Sequence, residues 1–144
     1  MMDTMNLFFE AGNYFDPKLN YWLFWMQCML FFAPILLIYF KAARIQLLAM
    51  IGTLVLALMI FWYDDYTVTK LLGASHITWV VSLFYMVEAV KSKRWIVYRA
   101  WAGLAAITIC ISFVFDAYEV AQYLMGNHDS VLIGVPVESP LYRP

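Results

Sequence analysis

Residues 91–125 read KSKRWIVYRAWAGLAAITICISFVFDAYEVAQYLM. This stretch opens with a basic cluster, crosses sixteen uncharged residues from 100 to 115, and then meets Asp116 and Glu119. Gly126 and Asn127 follow, and residues of these types commonly end a helix. A helix with a cationic end, an apolar middle and an anionic end is typical of a membrane span whose positive end lies in the cytoplasm.

The composition of the 144-residue chain favours the same environment. Hydrophobic residues make up 65% of the chain and charged residues 13%, against roughly a quarter charged in an average soluble domain. A soluble domain of this size cannot bury so many apolar side chains, so the excess must face lipid or a partner. The net charge of -1 does not indicate a surface for binding polyanions. We therefore expect a single transmembrane domain over residues 1–144.

Four apolar segments have lengths close to the ~20 residues that a bilayer requires. We predict spans at about 21–40, 46–63, 71–90 and 95–115, with the fourth helix continuing to about 125 and an extended tail over 126–144. Asp16 and Pro17 form a typical helix start, and Pro34 should bend the first span or free a carbonyl. The residues before Asp16 are either an interfacial segment or a frayed terminus.

Charges in the connections predict the orientation. The connections after the first and third spans are basic, whereas the N-terminal segment and the connection after the second span are mainly acidic. Since basic loops remain in the cytoplasm, both termini are expected outside. The predicted fold is an all-α, antiparallel four-helix transmembrane bundle. The short design without a basic leader favours a bacterial inner (plasma) membrane.

Small and polar residues within the spans predict where helices meet. Gly52 and the pair of Ala102 and Ala106 allow close approach of a neighbouring helix. Polar side chains form one stripe on the third span and a second on the fourth, which comprise Ser75, Thr78, Ser82 and Tyr85, and Trp101, Thr108, Ser112, Asp116 and Glu119 respectively. These stripes are either interhelical hydrogen-bonding groups or a polar seam between spans three and four that holds or conducts a small solute.

Ionisable groups at membrane depth are the candidates for function. Glu88 lies one turn from the predicted cytoplasmic edge, and three roles fit it: an ion pair with Lys91 or Arg99, handling of protons or cations, or contact with a partner. His76, Asp116 and Glu119, near the opposite face, are further candidates for ion or proton handling. They are also the candidate ligands for a metal ion, although their spacing matches no recognised metal motif.

The sequence lacks the motifs of common enzyme and cofactor sites. It contains no Gly-rich phosphate loop, no GxSxG and no HExxH. Both histidines lie near the predicted outer face, so a haem buried between two histidines would lack a ligand. Cys28 and Cys110 form a redox pair only if the first and fourth helices touch, and buried cysteine is more commonly a small hydrophobe. We expect no cofactor and no catalytic residue.

Three functional classes fit these observations. A non-catalytic accessory or assembly subunit of a larger membrane complex is favoured, because the tail could lie on a partner and no catalytic constellation is present. A homo-oligomeric small transporter or channel for a cation, proton or small polar solute is the alternative, with Glu88 or the acidic outer mouth in its pathway. The third class is an enzyme acting on a lipid or quinone with His76 and the outer acids as acid and base. The expected partners are lipid and other membrane-protein chains or further copies of this chain, and no nucleic acid.

Overall fold

The computed structural model of the protein describes residues 4–136, 138–139 and 141. Its α-helices are α1 (Thr4–Ala11), α2 (Pro17–Gln27), α3 (Ala33–Leu36), α4 (Lys41–Tyr63), α5 (Trp79–Lys91) and α6 (Ile96–Leu124). A π turn over Cys28–Phe32 joins α2 to α3, and 3-10 helices cover Gly12–Tyr14 and Lys70–Thr78.

Four helical stretches are long and apolar enough to cross a membrane, as expected for an integral membrane protein. They are span 1 (Pro17–Leu36), span 2 (Lys41–Tyr63), span 3 (Lys70–Lys91) and span 4 (Ile96–Leu124). Large apolar side chains cover their outer surface, whereas the buried polar side chains of the spans include Gln46, Thr53, Ser75, Ser82, Thr108 and Ser112. Polar groups inside and apolar groups outside is the arrangement expected where the surrounding solvent is hydrocarbon.

The four predicted spans are present, with boundaries that differ at the first connection. Span 1 begins at Pro17, where the Asp16 carboxylate accepts a hydrogen bond of 2.7 Å from the backbone N–H of Lys18. It ends at Leu36, so residues 37–40 form a turn that the prediction had placed inside the span. Span 2 then begins at Lys41, not at 46. Hydropathy does not mark a turn made of apolar residues, and the lysine, alanines and arginine of residues 41–44 are strong helix formers.

Pro34 explains the π turn in the middle of span 1. In this turn the Ala33 N–H donates to the carbonyl of Cys28, five residues back. The next donor in that register belongs to residue 34, and proline has no N–H. The Met29 carbonyl instead accepts a 2.9 Å hydrogen bond from the indole N–H of Trp101 in span 4. The carbonyl that Pro34 was predicted to free is therefore the one that joins spans 1 and 4.

Replacing Trp101 with phenylalanine is expected to lower the free energy of unfolding by about 1–3 kcal/mol, because the part-buried Met29 carbonyl loses its donor inside an apolar span. Denaturant unfolding of the protein in detergent micelles measures this change. Trp95→Phe is the matched control, since Trp95 is exposed and makes no indole hydrogen bond within the described residues. Equal effects of the two substitutions would contradict the role assigned to Trp101.

Span 3 combines two kinds of helix where the prediction had one. Lys70–Thr78 is a 3-10 helix that starts with the Thr69 side chain accepting a hydrogen bond from the Leu71 N–H at 3.3 Å, and α5 follows from Trp79. The residues of the 3-10 segment include Gly73, Ser75 and Thr78, which are weaker helix formers than alanine or leucine. The α-helix propensity of this segment is therefore low. Packing against spans 2 and 4 can then favour the 3-10 conformation.

Span 4 ends as the sequence predicts. The α-helix stops at Leu124, and Gly126 adopts a φ of +94°, in the left-handed region that favours glycine. The Gly126 N–H donates to the Tyr123 carbonyl at 3.0 Å and the Asn127 N–H to the Gln122 carbonyl at 3.1 Å. These bonds satisfy carbonyls that the end of a helix leaves unpaired.

The first helix, the described part of the tail, and the end of span 2 with the connection after it form a second apolar core, which we call the terminal cap. Its buried members are Leu7, Ala11, Phe61, Val68 and Leu141. Backbone hydrogen bonds join its parts: the Val131 N–H donates to Val68 O at 2.9 Å, and the Ile133 N–H to Tyr14 O at 2.7 Å. The tail was expected to have no core of its own. The described part of it lacks helix, as expected, but its apolar side chains pack on the first helix and the 64–69 connection.

Candidate functional site

His76 and Asp116 are brought together by the fold. The Nδ1 atom of His76 lies 2.8 Å from Oδ2 of Asp116, and the side chains are 21% and 15% exposed. The imidazole also stacks on the ring of Trp79, with centroids 4.1 Å apart and 25° between the planes. An imidazole held by a carboxylate on one side and an indole on its face has a fixed orientation.

Gly73 makes this approach of spans 3 and 4 possible. A Cβ atom at residue 73 would lie 3.0 Å from Oδ1 of Asp116 and 3.2 Å from its Cα. The sequence placed His76 and Asp116 at similar depth but did not single out Gly73. A glycine inside an apolar span is the signal that could have indicated it.

Glu119 is partly buried one turn beyond Asp116 on span 4. Among residues 4–136, 138–139 and 141, no three His, Cys, Asp or Glu side chains form a group that could hold a metal ion. His76, Asp116 and Glu119 are therefore not assembled as metal ligands in the described structure.

Asp64 ties the connection after span 2 to span 4. Its Oδ1 accepts a 2.8 Å hydrogen bond from the Tyr123 hydroxyl, and its Oδ2 accepts one from the Thr69 hydroxyl. The Tyr123 ring stacks on His128 at the start of the tail, with centroids 4.3 Å apart. This group of acid, phenol and imidazole thus anchors the terminal cap to the spans.

Two hydroxyls of the span 3 stripe, those of Thr78 and Ser82, bond to span 2, and not to span 4 as the predicted seam requires. The Thr78 hydroxyl donates to Ala49 O at 3.0 Å and lies 2.7 Å from the hydroxyl of Thr53. One turn along, the Ser82 hydroxyl donates to Oε1 of Gln46. Periodicity places residues on one helix face, but it does not say which neighbour that face meets.

The polar stripe of span 4 is divided between two neighbours. Toward span 1, Thr108 accepts from the Trp25 indole N–H at 3.1 Å, and the Ser112 hydroxyl donates to the Met26 sulfur at 3.1 Å. Asp116 turns toward span 3 instead. The hydroxyls of Thr78, Ser82, Thr108 and Ser112 thus form hydrogen bonds that hold helices together. Cys28 in span 1 is a free thiol.

One of the predicted packing positions, Gly52, lies at a tight contact, and the two alanines belong to the core of the bundle. A Cβ atom on Gly52 would be 3.0 Å from the Thr78 methyl carbon, so glycine permits the close approach of spans 2 and 3. Ala102 is completely buried, and Ala106 packs against the same core. Cys110, which shares span 4 with these alanines, is exposed and free.

Glu88 is exposed and forms no ion pair of 4 Å or less with any described residue. The predicted pairing with Lys91 or Arg99 is therefore wrong. The Nε–H group of Arg99 donates to the Val90 carbonyl at 3.0 Å, because the end of α5 leaves carbonyls without helical partners. Glu88 instead lines a cavity of about 230 Å³ at the ends of spans 2, 3 and 4.

Gln27 was not among the predicted site residues. It lies in the middle of span 1, its side chain is exposed, and its amide makes no hydrogen bond within the described residues. A lone amide in a run of twenty uncharged residues is the signal that could have indicated it.

Comparison with known proteins finds no relative: no protein-family model matches the chain, no curated protein matches its sequence and no solved structure matches its fold.

Proposed function

We propose that this protein is a non-catalytic accessory or assembly subunit of a larger membrane complex, and that span 1 is the helix that docks on a partner. The observation that carries the proposal is the unpaired Gln27 amide on the outer face of that span.

The position of Gln27 makes exposure to lipid costly. Span 1 has twenty residues, and at 1.5 Å per residue Gln27 lies roughly 15 Å from either end, near the centre of a hydrocarbon layer about 30 Å thick. An amide that moves from water to hydrocarbon without a hydrogen bond costs roughly 4–8 kcal/mol. Transmembrane helices relieve this cost by pairing such amides with polar groups of another helix.

The surroundings of Gln27 form a surface for such a helix. Phe24 and Phe31, one turn away on either side, are 65% and 41% exposed. Residues three and four apart share one helix face, so the amide is flanked by two aromatic rings. The amide would set the register of a partner helix through its hydrogen bonds, and the apolar face around it would provide the contact area.

The proposal includes the topology that the loop charges predict: an antiparallel bundle in a bacterial inner membrane with both termini outside. The pairs Gln46–Ser82 and Thr53–Thr78 support opposite directions for spans 2 and 3, since positions that rise along one span fall along the other. The basic residues near the two short turns support a cytoplasmic location for those turns.

The hydrogen-bonded stripes also favour assembly over transport. A conducting seam needs polar groups that are free to bind a solute, whereas most of these hydroxyls are bonded to neighbouring helices. A second copy of the chain remains a partner to test, because an amide has both a donor and an acceptor and can pair with its own symmetry mate.

Native mass spectrometry of the protein extracted from its own membrane in mild detergent tests the proposal. The wild type is expected to carry unrelated membrane chains in fixed ratio. Gln27→Leu should reduce the ratio of bound to free protein about tenfold, which corresponds to the 1–2 kcal/mol of an interhelical hydrogen bond. Gln27→Asn keeps the amide and should retain part of the binding.

The matched control is Gln122→Leu, since the Gln122 amide already donates to the Tyr118 hydroxyl at 3.3 Å near the end of span 4. It should leave the complex intact. A homo-oligomer that Gln27→Leu dissociates would shift the function to the alternative, a homo-oligomeric transporter or channel. A monomer, or partners that remain bound to Gln27→Leu, would overturn the docking role of span 1.

A further inference from the structure

The cavity that Glu88 lines lies where span 2 begins, span 3 ends and span 4 begins. Its walls are Lys41, Ala42, Tyr85, Glu88, Ala89, Ser92, Arg94 and Tyr98. Its volume of about 230 Å³ is below the roughly 300 Å³ at which pockets for drug-sized ligands begin. The cavity therefore suits a small polar group, and its walls supply two cations, one carboxylate and two phenols.

The charges in these walls are held apart. Opposite charges on neighbouring side chains commonly pair, yet neither Lys41 nor Arg94 lies within 4 Å of the Glu88 carboxylate. The Lys41 ammonium instead sits 4.5 Å from the centre of the Tyr85 ring, as a cation–π contact. The space between the separated charges fits a ligand that carries both signs.

The start of span 2 adds a second feature that favours an anion. Lys41 is the first residue of α4, and Phe40 before it provides no side-chain cap. The first turn of a helix presents unpaired N–H groups and the positive end of the helix dipole. A lysine here gains nothing from that dipole, and its ammonium adds to the positive charge that a bound anion would meet.

We propose that this cavity binds the head group of a zwitterionic phospholipid that carries a phosphate and a primary ammonium. The phosphate lies between Lys41 and Arg94, and the ammonium pairs with Glu88. Such charge-assisted bonds are stronger than neutral ones. A head group without the ammonium leaves Glu88 facing a phosphate, so Glu88 selects against purely anionic lipids.

The location favours a lipid over a soluble phosphate compound. The cavity lies at the ends of the spans, where head groups of a bilayer lie, and basic pockets between transmembrane helices commonly bind lipid head groups. Below Glu88, Phe84 and Val87 are exposed on the outer face of α5. The acyl chains of a lipid held in the cavity would lie against these side chains.

Lipid titrations of the purified full-length protein, followed by native mass spectrometry, test the proposal. Phosphatidylethanolamine is expected to bind at least about tenfold more tightly than phosphatidylglycerol or phosphatidylcholine. Glu88→Gln should abolish the preference over phosphatidylglycerol, and Glu88→Asp should keep it. Lys41→Gln and Arg94→Gln should each weaken the binding of both lipids about tenfold.

Lys93→Gln is the matched control, because Lys93 is in the same turn as Arg94 but does not line the cavity; it should bind as the wild type does. Equal binding of all three lipids by the wild type, or an unchanged preference in Glu88→Gln, would overturn the proposal. Competition by inorganic phosphate or soluble phosphoethanolamine as effective as by the lipid would also overturn it and assign the cavity to a soluble ligand. Melting temperatures of all variants, measured in parallel, identify any loss of binding that comes from unfolding. If one variant unfolds, the comparison of Glu88→Gln with Glu88→Asp still tests whether the carboxylate selects the lipid.

Discussion

Replacement of Leu141 by alanine is expected to lower the free energy of unfolding by about 2–5 kcal/mol, the usual cost of truncating a fully buried leucine. Leu141 is 1% exposed and belongs to the terminal cap, together with Leu7 of the first helix and Phe61 at the end of span 2. The cost arises because the side chains that surround the new cavity in the cap lose their van der Waals contacts with Leu141. Deletion of residues 128–144 should lower the free energy of unfolding further, since it also removes Val131 and Leu132 from the cap.

Denaturant unfolding and amide hydrogen exchange of α1 together measure this effect. Exchange in α1 should accelerate, because the tail covers that helix and its loss opens the cap before the spans. Ile133→Ala is the matched control: Ile133 is in the same tail but 59% exposed, so its truncation should change stability by no more than about 0.5 kcal/mol. Unchanged stability and exchange after deletion of 128–144 would show that the tail does not stabilise the cap. That result would favour a tail that docks on a partner.

Gly73→Ala is the second substitution with a large expected effect, a destabilisation of about 1–3 kcal/mol. The new methyl group would lie 3.2 Å from the Cα of Asp116, and backbone cannot rotate away as a side chain can. Span 4 must therefore move from the 3-10 segment, which lengthens the His76–Asp116 contact. Denaturant unfolding measures the first consequence, and the NMR chemical shifts of the His76 ring measure the second.

Gly103→Ala is the control for Gly73→Ala. A Cβ at residue 103 meets only the Val90 side chain, at an ordinary contact distance of 3.8 Å. Alanine in a helix interior is favoured over glycine by up to about 1 kcal/mol, so this variant should be neutral or more stable. If both variants behave alike, the close approach at Gly73 does not control the packing of spans 3 and 4.

Pro34 and Gln27 show which properties of a residue can be predicted from the sequence and which cannot. Proline lacks an N–H whatever surrounds it, so a freed carbonyl in span 1 was predictable, but the donor that reaches it belongs to Trp101 on another span. Gln27 is polar in any context, but only the fold shows that its amide faces outward without a hydrogen bond. A residue's chemistry is local, whereas its partner depends on which helices meet.

The number of spans, the helix start at Asp16 and Pro17 and the stop at Gly126 followed from the sequence alone, because hydropathy, capping and left-handed turns depend on a few adjacent residues. The tertiary structure alone decided that Thr78 and Ser82 of the span 3 stripe bond to span 2, that Glu88 lines a cavity instead of pairing with Arg99, and that Leu141 completes an apolar core with Leu7. These outcomes depend on the rotation of each helix about its axis and on contacts between distant segments. A one-dimensional pattern specifies neither of these.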